Sequence, residues 1–150
     1  MNKLTSWDRK YLDLAKQIST WSKDPSRKIG AVAVGASGQI LSQGYNGFPR
    51  GIDDSEFRLN NREVKYMFTV HAEMNCIYNA TLNGTCLKDS TMYVYGLPVC
   101  SECAKGVIQV GVKKIIMLSE EDVGTKWASS FDLTMKLLAE ADIDFNWINL

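Results

Sequence analysis

The sequence lacks any long hydrophobic run and has no excess of charge of either sign. No segment approaches the ~20 apolar residues that a membrane-spanning helix requires, so we expect no membrane span. Basic and acidic residues number 17 each, and a net charge of zero provides no broad positive field to attract a polyanion. We therefore expect no long nucleic acid as a partner, whereas a few local Arg or Lys side chains can still bind one small phosphate.

The N-terminal segment from Met1 to Asp8 also lacks the apolar run of a secretory signal peptide. We therefore expect a cytoplasmic protein whose four cysteines are thiols or metal ligands rather than disulfides. A chain of 150 residues can form one domain with a substantial core. Because no internal repeat, low-complexity tract or linker divides it, the sequence predicts a single domain over residues 1–150.

Apolar periodicity in the first half of the chain predicts a helix followed by a hairpin. Residues from Trp7 to Trp21 recur at helical spacing after a start cap of Thr5 and Asp8, and we expect their aromatic rings to pack in the core. The apolar, β-branched runs 29–34 and 40–45 are joined by a short turn and predict an antiparallel hairpin. The charged segment that follows predicts a long functional loop over 46–68.

The second half of the chain alternates helices with strands. The predicted helices cover 71–79, 101–109 and 130–141, and the predicted strands cover 91–95, 114–118 and 145–148. Strands that alternate with helices need crossover connections, which produce parallel pairs with helices packed on the sheet. The predicted fold class is therefore α/β, a three-layer α/β/α sandwich around a mixed five-stranded sheet.

The sole histidine and one pair of cysteines stand at two predicted helix starts. His71-Ala72-Glu73 opens one helix, and Cys100 and Cys103 open another. Cysteines three apart share one helix face, and a helix N-terminus favours the thiolate form that metals bind. Two thiolates and an imidazole suit zinc and leave its fourth position for water, as in a catalytic site. First-turn side chains lean back toward the N-terminus, so Glu73 can move a proton of that water.

Each half of this pattern has another explanation when it is taken alone. A lone histidine is commonly a satisfied polar group, and Cys-x-x-Cys fits a redox dithiol or half of a structural metal site. A redox dithiol leaves His-x-Glu unexplained, and a structural zinc needs a fourth ligand, for which Cys76 and Cys86 are the other thiols. We expect those two cysteines to pack or to have no role. A zinc-stabilised nucleotide-binding module without catalysis is the alternative from a different class of protein.

Further short motifs accompany the metal pattern, at residues 22–25, 29–31, 44–47, 71–75 and 103–105. With them the sequence resembles the deoxycytidylate deaminase family, within the cytidine deaminase-like superfamily. The resemblance implies conversion of dCMP and water to dUMP and ammonia, which supplies thymidylate synthesis. It also implies that activated water adds to C4 while Glu73 protonates N3 and then the departing amine. Other deaminases of the superfamily remain alternatives, acting on dCTP, cytidine or deoxycytidine, guanine, or bases in nucleic acid.

The resemblance also implies a set of partners and binding residues. Members are activated by dCTP, with Mg²⁺ accompanying the triphosphate, are inhibited by dTTP, and assemble as homohexamers. The effector site is expected at Gly44, Tyr45, Asn46, Gly47 and Arg50. Substrate contacts are expected from Asn46, Lys23, Arg27, Ala72 and Tyr95, and the phosphate candidates are Lys23, Arg27 and Arg50.

Two features depart from the family pattern. Members have proline directly before the first metal cysteine, whereas here Val99 separates Pro98 from Cys100, which suggests an insertion in the loop that enters the helix. The absence of any histidine besides His71 argues against an additional zinc site of the kind found in some relatives.

Overall fold

The computed structural model describes residues 3–150. Met1 and Asn2, which belong to the segment behind the expectation of a cytoplasmic protein, lie outside the described residues. The helices are α1 (Ser6–Ser19), α2 (Glu56–Asn60), α3 (Arg62–Phe68), α4 (Ala72–Leu82), α5 (Ser101–Gln109) and α6 (Ala128–Glu140). The strands are β1 (Gly30–Val34), β2 (Ile40–Tyr45), β3 (Thr91–Tyr95), β4 (Lys114–Ser119) and β5 (Asp144–Asn149). Within residues 3–150, no helix combines the length and the apolarity that crossing a membrane would need.

The five strands form one mixed sheet in the order β2-β1-β3-β4-β5. Strand β1 pairs antiparallel with both β2 and β3, while β3 with β4 and β4 with β5 are parallel. Helices α5 and α6 are the crossovers of the two parallel pairs. The predicted hairpin, mixed sheet and α/β/α class are confirmed, because helices pack on both faces of this sheet.

Helix α1 covers one face of the sheet and begins at a capping box. Thr5 Oγ1 accepts the Asp8 N–H at 3.0 Å, and the carboxylate of Asp8 accepts the Thr5 N–H at 2.9 Å. The apolar side chains that it buries lie three residues apart, namely Leu12, Ala15 and Ile18. The expectation of a tryptophan and tyrosine stripe in the core is wrong for Trp7 and Trp21, which are 59% and 52% exposed.

Helices α4, α5 and α6 cover the opposite face, where most of the core lies. Strands β3 and β4 are apolar on both sides, as expected for strands covered by helices on both faces. Met92 and Val94 of β3, with Ile115 and Met117 of β4, point toward these three helices and are fully buried. The sheet is therefore fixed against α4 and α5, the helices whose N-termini carry the predicted metal ligands.

The predicted loop over 46–68 contains two short helices, so that expectation is wrong. Asn61 ends α2 and caps α3, where its side-chain oxygen accepts the Val64 N–H at 3.3 Å. Lys65 is the one buried residue of α2 and α3, and helices this short and exposed carry little apolar periodicity. The segment closes through paired backbone bonds between Gly47 and Val70 at 3.1 and 2.8 Å.

Candidate active site and metal centre

The N-termini of α4 and α5 meet at one edge of the sheet and bring three predicted ligands together. His71 is the N-cap of α4, yet its side chain makes no capping hydrogen bond. Its Nδ1 atom lies 3.4 Å from Cys100 Sγ and 3.3 Å from Cys103 Sγ. The three ligand atoms lie within 4.8 Å of one another, close enough to bind a single metal ion.

The chemistry of this donor set fits zinc. Cys100 is the N-cap of α5, and its sulfur accepts the Cys103 N–H at 3.5 Å. The hydrogen bond from the Cys103 side chain, opposed by burial and supported by His71, lowers the pKa of Cys100 to about 4. A thiolate is therefore favoured here, and thiolate is the form that binds metals. Two sulfur ligands and one nitrogen leave one tetrahedral position open, as in catalytic zinc sites.

Glu73 lies beside this cluster although it follows His71 by only two residues. It belongs to the first turn of α4, is only 4% exposed, and lines the same cavity as His71. Its carboxyl group interacts with the Cys103 thiol, and burial raises the pKa of Glu73 to about 7. The turn at the start of α4 therefore directs both side chains to one place, as expected for a proton carrier next to a metal.

A cavity of about 130 Å³ opens in front of the cluster. It lies beyond the carboxyl end of β3, the edge at which ligands of α/β sheets bind. Of the expected substrate residues, Arg27, Asn46 and Ala72 line it. Leu97 of the loop after β3 also lines it, and the lining residues that sequence reasoning missed are Asp24, Ser26, Ile29, Lys65, Tyr66, Thr69, Pro98, Trp127 and Phe131. For Trp127 and Phe131 the sequence offers one signal. Both lie near the start of a helix that follows a parallel strand, and ligands of α/β sheets bind at that edge.

Asn46 shapes the cavity through its side-chain amide. Its Oδ1 accepts the Ile29 N–H at 2.9 Å, and its Nδ2 donates to the Arg27 carbonyl at 2.9 Å. The residue is only 5% exposed. In this structure Asn46 holds the chain that enters β1, while its contact with a substrate stays a prediction.

Two of the expected substrate residues lie away from this cavity. Tyr95 points to the α1 face of the sheet, where its hydroxyl donates to Glu120 at 2.9 Å. Side chains of successive strand residues point to opposite faces of the sheet, so Tyr95 of β3 cannot point to the face on which α5 and its Cys103 pack. Lys23 forms an exposed ion pair with Asp54 at 2.9 Å and does not line the cavity. Their placement corrects the expectation from sequence.

Gly44 has a packing role that differs from the one expected. A Cβ there would lie 2.4 Å from the Cys76 nitrogen and 2.6 Å from the Ala72 oxygen, both backbone atoms of α4. Because Gly44 has no side chain, the backbone of helix α4 can pack directly against strand β2 at this position. Arg50 also contacts this helix, because its guanidinium donates to the Asn79 side chain at 2.6 Å.

The residue between Pro98 and the first metal cysteine points into the core. Val99 is fully buried, its N–H donates to Met117 Sδ at 3.4 Å, and its carbonyl accepts the Thr134 hydroxyl at 2.8 Å. Val99 therefore anchors this loop, and Pro98 before it lines the cavity.

The other two cysteines stand apart from the cluster. Cys76 is fully buried in the core, as expected, whereas Cys86 is exposed. Neither belongs to the group of possible metal ligands found within residues 3–150.

Comparison with known proteins places the chain among deaminases. The family described as the cytidine and deoxycytidylate deaminase zinc-binding region matches residues 5–119. A probable deoxycytidylate deaminase of Caenorhabditis elegans is 38% identical over 143 residues, covering 93% of this chain and 68% of the relative. A protein of Aliivibrio fischeri, described as an uncharacterized deaminase in the luxG 3′ region, is 32% identical over 148 residues, covering 98% and 97%. The dCMP deaminase of cyanophage S-TIM5, solved with dCMP and dUMP, shares the fold with a TM-score of 0.76 at 23% identity, covering 98% of this chain and 100% of that one.

Proposed function

The chain belongs to the cytidine and deoxycytidylate deaminase family, and we propose that it deaminates dCMP hydrolytically to dUMP and ammonia. The observation that carries the proposal is the convergence of His71, Cys100 and Cys103 with the buried carboxyl group of Glu73 on one cavity. Relatives named deoxycytidylate deaminases support a cytosine nucleotide as the substrate.

We assign His71, Cys100 and Cys103 as the ligands of one zinc ion. When bound, zinc supplies the Lewis acidity that makes water a nucleophile near neutral pH. Glu73 accepts a proton from water and delivers it to N3 of the cytosine ring, then moves the second proton to the amino group at C4. The water oxygen forms a bond to C4, the bond from C4 to the amino nitrogen breaks, and ammonia leaves as the carbonyl forms.

The apolar walls of the cavity serve the same reaction. Trp127 and Phe131 from the α6 side and Leu97 from the loop after β3 surround the space in front of Glu73. Aromatic and apolar side chains of this kind hold a base by stacking and exclude bulk water. Excluding water strengthens the interaction of the Glu73 carboxyl group with a base beside it.

A direct assay compares the purified protein with dCMP, dCTP, deoxycytidine, cytidine and single-stranded DNA, following the loss of cytosine absorbance. We expect dCMP to give the highest kcat/KM. Equal or faster turnover of the nucleosides would overturn the substrate assignment. Turnover of single-stranded DNA above that of dCMP would place the chain with nucleic-acid deaminases instead.

The role of Glu73 is tested by Glu73→Gln, which keeps the shape of the side chain and removes the proton carrier. We expect one zinc per chain by elemental analysis and a fall in kcat of about 10²- to 10⁴-fold. Glu102→Gln is the matched control, because Glu102 is also in the first turn of its helix but has an 82% exposed side chain paired with Lys105. Turnover by Glu73→Gln at the rate of this control would remove Glu73 from the mechanism.

We further propose that the enzyme is a cytoplasmic homohexamer, activated by dCTP with Mg²⁺ and inhibited by dTTP, which supplies the dUMP used for thymidylate synthesis. A second cavity supports an effector site, since Tyr45, Asn46 and Gly47 line it with Trp21 and Lys23. Asn46 also lines the catalytic cavity and so connects the two. Saturation curves for dCMP with each effector, and the mass of the assembly, test the proposal; curves that neither effector moves would refute the regulation.

A further inference from the structure

The proposed metal ligand Cys100 is held by a helix other than its own. It stands between two peptide groups, one shared with Val99 and one shared with Ser101. The Val99 carbonyl accepts the Thr134 hydroxyl at 2.8 Å, and the Ser101 N–H donates to Ser130 Oγ at 3.0 Å. Both peptide groups that flank the ligand are therefore bonded to side chains of α6.

Ser130 and Thr134 act from one face of α6, because residues four apart in a helix lie one above the other. Besides accepting the Ser101 N–H, Ser130 donates its hydroxyl proton to Ser101 Oγ at 3.2 Å. The Ser101 N–H is one of the first backbone donors of α5, which have no partner within the helix. Ser130 therefore caps α5 from a neighbouring helix, at the turn that also carries Cys103.

The hydroxyl of Thr134 is fully buried in the middle of α6, where threonine forms a helix less readily than leucine or alanine. A buried hydroxyl without a partner costs free energy, and here the Val99 carbonyl is the partner. Val99 is itself fully buried, and its N–H donates to Met117 Sδ of β4 at 3.4 Å. The residue before Cys100 is therefore tied to β4 and to α6 together.

The same part of α6 lines the catalytic cavity. Trp127, the N-cap of α6, and Phe131, one turn later, line the space in front of Glu73. Helix α6 begins at Ala128, whereas the matched family region ends at residue 119. A helix outside the region that carries the ligands thus contacts both the substrate space and the backbone around Cys100.

We propose that Ser130 and Thr134 are positioning residues of the metal site, which hold the backbone of Cys100 where its sulfur can bind the metal. The inference rests on the proposed function, because it takes Cys100 as a metal ligand. A ligand on a fixed backbone loses little conformational freedom when the metal binds, whereas a mobile one must first be ordered. Replacing residues that orient metal ligands typically lowers metal affinity about 10- to 100-fold.

The test uses Ser130→Ala and Thr134→Val, which each remove one hydroxyl, and the double variant. Thr134→Ser is the conservative variant, because it keeps the hydroxyl. One control is Ser129→Ala, at an exposed residue beside Ser130. The other is Ser90→Ala, which removes a fully buried hydroxyl that donates to the Leu87 carbonyl at 2.6 Å. Ser90 precedes β3 and so lies at the end of that strand opposite the cavity.

Two measurements follow the metal site directly. Zinc affinity is measured by competition with a chelator, and we expect each single variant to bind zinc about tenfold more weakly and the double variant more weakly still. The visible absorption of protein loaded with Co²⁺ in place of zinc reports the arrangement of its ligands. We expect the cobalt bands of Ser130→Ala and Thr134→Val to shift or lose intensity. Thr134→Ser and both controls should keep the spectrum and the affinity of the wild type.

Spectra and affinities equal to those of the wild type in Ser130→Ala and Thr134→Val overturn the inference. Equal losses in Ser90→Ala also overturn it, because they would be a general effect of lower stability. If Thr134→Val does not fold, Ser130→Ala at its half-buried position decides the result.

The two metal measurements also separate this inference from the proposed function. A wild-type protein that binds neither zinc nor Co²⁺ contradicts the assignment of the ligands and the inference with it. A wild-type protein that binds the metal but does not deaminate dCMP contradicts the proposed reaction alone, and the metal measurements then decide the inference as before.

Discussion

Gly44→Ala tests whether the contact between β2 and α4 positions the active site. The added methyl group would lie 2.4, 2.6 and 2.8 Å from three atoms of α4, all in the backbone, whereas ordinary contacts begin at 3.4 Å. No side-chain rotation can relieve this overlap. Helix α4 must therefore move away from the sheet by about 1 Å, the difference between the observed and the ordinary separation.

This displacement has two calculable consequences. Overpacking of this kind costs about 1–3 kcal/mol, which lowers the Tm of a domain of this size by roughly 2–12 °C. The start of α4 carries His71 and Glu73, and a misplacement of about 1 Å can reduce turnover ~100-fold. We expect Gly44→Ala to lower the melting temperature, the zinc content and kcat together.

Thermal denaturation followed by circular dichroism, zinc analysis and the dCMP assay measure these three effects. Gly47→Ala is the control for stability and zinc content, because its added methyl group would find its nearest neighbour at 3.9 Å, an ordinary contact. If Gly44→Ala melts and binds zinc as Gly47→Ala does, the packing argument fails. The role of Gly44 would then be sought in the proposed effector site.

Two further predictions concern buried carboxylates. Asp24→Asn leaves the Lys65 ammonium buried without a counter-charge and should cost about 3–5 kcal/mol by urea denaturation. Asp54→Asn, whose partner Lys23 has a 68% exposed side chain, should cost much less, and equal losses would contradict the argument. Burial raises the pKa of Asp8, but the Thr5 N–H and the Tyr93 hydroxyl outweigh it, so the folded-state pKa is lowered. The resulting stability is present above the unfolded pKa and disappears as pH falls through the folded one. Asp8→Asn should therefore lower the free energy of unfolding at pH 7 by about 1 kcal/mol, and with it the Tm. The difference in Tm between the variant and the wild type should become smaller below about pH 4; a difference that does not change with pH would refute this.

The strands and longer helices were predictable because their signals are local. Strand β3 and helix α5 have the predicted bounds, since an apolar β-branched run and a helical repeat report burial of contiguous residues. The exposed Trp7 and Trp21 show the limit of that reasoning, because helical spacing identifies a face but does not say which face meets the sheet. Helices α2 and α3 escaped prediction since they are short and largely exposed.

The sequence by itself predicted the candidate metal ligands and the candidate proton carrier. His71, Glu73, Cys100 and Cys103 carry scarce chemistry at helix starts, and such chemistry restricts residue type and spacing within short segments. Only the tertiary structure decided which walls enclose them. The catalytic cavity is lined both by α3 and by the connection before α6, and Tyr95 points to the opposite face of the sheet. Cavity walls arise from packing between segments that are distant in sequence, and the periodicity within one segment does not predict that packing.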